Sequence, residues 1–150
     1  MSITTDRSGT RLIIPAFRGL YGALHDASET LLRVVAGGML AIHGAGKIVD
    51  PFGKIEMVEG LGFYPGVLWS PLLSATEFFG GIMIAIGLLT RPAAFAAMIV
   101  LLVTVWFHWV TLDQGLAGAE KSILWAAILF FFVIRGANRQ SVDARLGRQF

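Results

Sequence analysis

The sequence predicts an all-α membrane protein, a four-transmembrane-helix bundle with an amphipathic N-terminal segment and an outer interfacial loop. Two properties carry that expectation. Hydrophobic residues make up 55% of the 150-residue chain and charged residues only 15%, and the mean hydropathy is +0.71, above the level of a soluble domain of this length. The apolar residues also gather into four stretches, 31–46, 69–89, 92–110 and 118–134, near the ~20 residues that carry a helix across a bilayer. A chain this short forms one compact bundle and no second domain. It has no cysteine, so it supplies no disulfide, thiolate nucleophile or cysteine-ligated cluster.

Residues 1–29 form the first segment. Its start is polar, and Ile13, Phe17, Leu20, Tyr21 and Leu24 then recur at helical spacing with Arg11 and Arg18 nearby, which suits a helix lying in the membrane interface. A cleaved signal peptide does not fit, because the apolar run starts late, after Asp26 and Glu29. Residues 30–134 form the membrane domain. The first and fourth stretches are short, about 16 and 17 residues, with Arg33 in one and Glu120 and Lys121 in the other; snorkelling side chains rescue both. The link Leu89-Thr90-Arg91-Pro92 joins the second and third helices as a tight antiparallel hairpin, with Pro92 in a first turn where its missing N–H is harmless. The loop between the first two helices carries Phe52, Ile55, Met57, Val58, Leu61 and Phe63-Tyr64-Pro65-Gly66. It is too apolar for a solvated linker and reads either as a lid or as an interfacial anchor. Residues 135–150 form a basic tail.

The basic residues divide cleanly. Arg7, Arg11, Arg18, Arg91, Arg135, Arg139, Arg145 and Arg148 fall on one side of the proposed helices, and Lys47, Lys54 and Lys121 fall on the other among five acidic residues. The positive-inside rule then predicts a multi-pass membrane protein with both termini and the Arg91 turn cytoplasmic. A topology or anionic-lipid role accounts for the basic tail without nucleic acid.

The most informative residue is Glu77, about 12 Å into the second stretch. A carboxyl group at membrane depth is costly and normally faces a bundle interior or a wet cavity. His43 ends the first helix with Lys47 one turn beyond it, and His108 ends the third, so the outer half holds one carboxylate, one ammonium and two imidazoles. Ser70, Ser74, Glu77 and Gly81 share one stripe, and Thr104, His108 and Thr111 another. Gly37 with Ala41, Gly81 with Ala85, and Ala93 with Ala97 are small-xxx-small pairs that permit close helix contact. Glu77 reads either as a structural pair with Lys47, Arg33 or a histidine, or as a group for ligand or proton chemistry. His43 and His108 read as polar glue or as ligand contacts. Trp69, Trp106, Trp109 and Trp125 suit an aromatic belt, and Phe130, Phe131 and Phe132 suit lipid contact or packing. A bis-histidine haem between His43 and His108, or a zinc site from His43, His108 and Glu77, has acceptable donor types but no fingerprint or spacing that specifies it. No metal and no tightly bound cofactor are expected.

Taken in order, Arg33, the string His43-Gly44-Ala45-Gly46-Lys47, then Glu77-Phe78-Phe79-Gly80-Gly81, Gly87-Leu88-Leu89-Thr90-Arg91 and finally His108 resemble the DoxX family of bacterial membrane proteins over about residues 30–134. Glu77, His43, Lys47, Arg33 and Arg91 match the family pattern position by position. The resemblance implies a four-helix inner-membrane protein. The family takes its name from the small subunit of a thiosulfate:quinone oxidoreductase, and other members are linked to thiol and oxidative-stress systems. Fold-level likeness is a weak warrant for activity. The expected function is a redox-associated subunit that binds a quinone or another lipophilic small molecule in the periplasmic half of the bundle. Glu77 and His108 would face the polar head, Lys47 and His43 would set the local charge, and Arg33 and Arg91 would serve structure or topology. The chain has no redox centre of its own, so electrons would come from a protein partner in a membrane complex. The alternative is a non-catalytic accessory or assembly subunit. A solute carrier is disfavoured by the scarcity of polar lining on the cytoplasmic half beyond Arg33.

Overall fold

The computed structural model describes residues 14–148; Arg7, Arg11 and Ile13 of the proposed interfacial segment lie outside them. Four helices are long and apolar enough to cross a membrane: α1 (Arg18–Val49), α3 (Gly66–Ile86), α4 (Thr90–Thr111) and α5 (Gly115–Arg135). Two short α-helices, α2 (Ile55–Gly60) in the loop after α1 and α6 (Val142–Arg145) after α5, and a 3₁₀ turn at Pro15–Phe17 before α1 complete the described chain. No strand occurs among the described residues. The bundle is all-α with four long helices, as its apolar periodicity predicts.

α1 runs without a break through the expected boundary at residue 30. Nothing between Arg18 and Val49 stops a helix, since the stretch holds no proline. At 1.5 Å per residue its 32 residues extend about 48 Å, well beyond a hydrocarbon core of ~30 Å. Leu20, Tyr21 and Leu24 on its first turns are exposed apolar groups.

The α1–α3 seam is set by small residues. A Cβ on Gly37 would lie 2.5 Å from the Ala85 nitrogen, and one on Gly81 would lie 2.5 Å from the Ala41 nitrogen. One turn along, a Cβ on Gly44 would strike the backbone of Phe78. Two backbones this close leave no room for a side chain, and that approach stands in for hydrophobic driving force between helices in lipid. The core lies between α3, α4 and α5, where Ile84, Ala94, Ala97, Leu101, Ala126, Leu129 and Phe132 are buried with Leu40 of α1. Of the three consecutive phenylalanines only Phe132 is buried; Phe130 and Phe131 remain exposed.

α3 ends at Gly87, whose φ of +75° closes the helix, and Leu89 at φ +47° starts the hairpin into α4. A Cβ on Gly87 would also strike Arg33 Nη1. Residues 136–148, expected from composition as a basic tail, fold back on this turn. Asp143 N donates to the Gly87 carbonyl at 2.9 Å, and the Asp143 carboxylate accepts from Leu89 N at 2.9 Å and Thr90 N at 3.2 Å. Its basic residues Arg139, Arg145 and Arg148 are exposed, whereas Ser141 and Asp143 are buried.

Candidate functional site

Two helices depart from α-geometry, and each departure carries an ionisable residue. α3 passes through a π-helical turn at Thr76–Gly80 that contains Glu77, and α4 ends in a π-helical turn at Phe107–Thr111 that contains His108. π-turns are rare and recur at functional sites, because the extra residue re-aims side chains against the helix on either side. Here Glu77 is directed at α1 while Gly81 keeps its contact with Gly37.

Glu77 is 5% exposed. Lys47 Nζ reaches it from the last turn of α1, at 2.6 Å from Oε1 and 2.5 Å from Oε2. This is a charge-assisted contact to both carboxylate oxygens. The two ends of the bond differ in access: the Glu77 side chain is enclosed, while the Lys47 side chain keeps 28% of its exposure. Lys47 is therefore the partner that can move.

The pair borders a cavity of about 430 Å³, within the range of small-molecule sites. Its lining is mainly apolar and runs along α4 from Phe95 to His108, about 20 Å of helix. Lys47, Thr76, Glu77, Thr104 and His108 are its polar members, and all belong to the end where α1 finishes. Met57, Val58, Leu61 and Phe63 from α2 and the turn after it close that end. The loop is anchored by Ser70, whose hydroxyl donates to Pro51 O at 2.6 Å and accepts from Lys54 N at 3.2 Å. Glu59 Oε1 accepts from Gly66 N at 2.8 Å and so caps α3, where a carboxylate suits the helix dipole.

His108 lines the cavity, and its Nδ1 lies 2.8 Å from Gln114 Oε1. His43 is not among the lining residues. Its Nδ1 lies 3.0 Å from Met39 O, and its ring packs edge-on to Trp125 of α5 with centroids 5.1 Å apart. The structure thus gathers Glu77, Lys47 and His108 at one cavity and leaves His43 outside. Among the described residues no three His, Cys, Asp or Glu side chains converge on a metal position.

Arg33 and Arg91 serve the opposite end. Arg33 is 1% exposed, and its guanidinium donates to Ile84 O at 3.0 Å, Ala85 O at 2.8 Å and Gln140 O at 3.0 Å. The first two are carbonyls of the last turn of α3, where a cation suits the dipole. Arg91 Nη2 reaches Ile134 O at 3.5 Å, at the end of α5. Sequence reading missed two residues. Asp143 is the carboxylate that caps α4, and Gln114 holds His108. Neither carries a local signal: Asp143 acts on a helix start 53 residues back, and the partner of Gln114 lies six residues back across an irregular turn.

The family model of DoxX matches residues 29–109. A protein of Haemophilus influenzae described as an "Uncharacterized protein" is 28% identical over 120 residues, covering 75% of this chain and 85% of its own length. No solved structure matches the chain. The family match takes in Arg33, the Lys47–Glu77 pair and His108, spans more than half of the sequence and lies on a bundle of four membrane-length helices, so the chain belongs to the DoxX family of multi-pass membrane proteins.

Proposed function

We propose that this protein is a redox-associated membrane subunit that binds a quinone or another lipophilic small molecule in the cavity between α1, α3 and α4. The observation that carries the reading is the placement of an enclosed ion pair, Glu77 with Lys47, at one end of an otherwise apolar cavity. An amphiphile would put its polar head at Lys47, Glu77 and His108 and its chain along α4 toward Phe95. Exchange between quinone and quinol moves protons with electrons, and a carboxylate and an imidazole lining one cavity are suited to pass them. The electrons come from a protein partner in the same membrane. The split of basic residues supports an inner-membrane orientation with both termini cytoplasmic and the cavity on the periplasmic side.

A second reading, a non-catalytic accessory subunit, is favoured by one feature. Lys47 meets both oxygens of Glu77, so the pair alone can lock α1 to α3. The two readings separate on purification from the native membrane in mild detergent, followed by mass spectrometry of co-purifying polypeptides and extractable lipophilic molecules. A stoichiometric quinone present in the wild type and lost in Glu77→Gln supports the ligand site. A stable protein partner with no ligand, unchanged by the substitution, supports the accessory role.

A further inference from the structure

Gln114 is bound to His108 twice. Its backbone N–H donates to the His108 carbonyl at 3.0 Å, and its side-chain Oε1 lies 2.8 Å from His108 Nδ1. Asp113 just before it takes a left-handed φ of +51°, which turns the chain back over the π-helical turn. Gly118 leaves space for the side chain; a Cβ there would strike Gln114 Cβ and lie 2.6 Å from Gln114 Oε1. The residue is exposed and does not line the cavity, whereas His108 does.

With the amide oxygen turned to the ring, as here, the contact places a hydrogen on Nδ1; the flipped amide would place it on Nε2, and the test below decides between the two. Neutral imidazole carries one N–H, and Nε2 then keeps its lone pair. Among the described residues Nε2 has no hydrogen-bond partner, and it is the remaining polar atom of a ring that lines the cavity. We infer that Gln114 is a positioning residue that fixes the Nδ1–H tautomer of His108, so that Nε2 accepts a hydrogen bond from a ligand hydroxyl. Resting on the ligand reading above, this narrows the ligand class: the head favoured at His108 bears an O–H, as a quinol or phenol does, and a quinone carbonyl, itself only an acceptor, is not matched there. Lys47 and the Thr76 hydroxyl are the donors left for a carbonyl.

The test uses protein labelled with ¹⁵N-histidine, in detergent at about pH 8, above the ordinary histidine pKa, with the His108 signals identified by their loss in His108→Phe. Nitrogen shifts distinguish a protonated from an unprotonated ring nitrogen. The expected result is Nδ1–H in the wild type and in Gln114→Glu, which keeps an acceptor, and a change to Nε2–H in Gln114→Leu. An Nε2–H tautomer in the wild type, or no response to Gln114→Leu, overturns the assignment. The same three proteins are then titrated with a decyl-chain benzoquinol and with its dimethyl ether, which has no O–H. The quinol should bind about tenfold more weakly to Gln114→Leu than to the wild type, the loss expected for one hydrogen bond, with the ether unaffected. Equal quinol affinity in the two proteins overturns the recognition step. Failure of the wild type to bind either probe overturns the ligand reading itself, and the tautomer result decides the role of Gln114 independently.

Discussion

The bundle buries charge at both ends, but it does so in different ways. At the Arg33 end the two most deeply buried charges are turned toward backbone: Arg33 onto the closing carbonyls of α3, Asp143 onto the opening amides of α4, each with the sign that its helix terminus favours. Asn138, Arg139 and Arg135 then bind Asp26, Thr30 and Glu29 of α1, so residues 136–148 clasp the end shut. At the Glu77 end a carboxylate meets one partly exposed lysine beside a mainly apolar cavity. Backbone carbonyls cannot leave, but a lysine side chain can. A buried charge answered by fixed dipoles is a lock, and one answered by a flexible counter-charge at the edge of a void is suited to exchange partners.

That contrast predicts unequal costs. Arg33→Met removes three donors and leaves the Ile84, Ala85 and Gln140 carbonyls in want of them, so it should destabilise the protein by about 3–5 kcal/mol, read as a lowered unfolding temperature or a loss of monodisperse protein in detergent. Cavity binding in any folded fraction should persist. If Arg33→Met and Glu77→Gln lose equal stability, the two ends do not differ in the way argued.

Asp143→Ala sharpens the same comparison at lower cost. It removes the cap of α4 and the hydrogen bond from Thr90 Oγ1, for a loss of about 2 kcal/mol. It should also release residues 136–148, which limited proteolysis would report as early cleavage after Arg135 or Arg139. A clasp that stays resistant would show that the ion pairs to α1 hold it without the cap.

How far the sequence disclosed each end follows from the same physics. Glu77 was legible because a carboxylate inside an apolar run violates a simple rule, and Lys47 because it completes a short list of available cations. The Gly37–Gly81 seam was legible because small residues spaced by four mark one helix face. The clasp was not, because Arg33 and Gln140 are 107 residues apart, and their contact depends on how the hairpin at Gly87 folds. The π-turns were also hidden. Helical spacing groups Glu77 with Ser70 and Ser74, and His108 with Thr104, but periodicity at 3.6 residues carries no sign of where an extra residue is inserted.

Glu77→Gln should cost little stability, about 1 kcal/mol, because Lys47 already reaches the surface and can extend its ammonium to water or headgroups once its partner is neutral. Its effect should fall on the cavity instead. Bound lipophilic molecules recovered after extraction should drop at least tenfold while the folded yield is kept. A large loss of stability with unchanged ligand content would make this end a lock like the other.

The smallest effect is expected at His43, and it marks where the site stops. His43 sits one turn before Lys47 and shares its type with His108, yet its ring lies against Trp125 and its Nδ1 against Met39 O within α1. His43→Phe keeps an aromatic edge for Trp125 and gives up one contact to a carbonyl of its own helix, so stability should change by no more than about 0.5 kcal/mol. Ligand recovery should equal that of the wild type. Because His43 is one helical turn from Lys47, a fall in ligand recovery comparable to that of Glu77→Gln would mean that the functional surface continues around α1 toward α5. An unchanged level confines it to the cavity between α1, α3 and α4, which of the two helix-end histidines only His108 lines together with the ion pair.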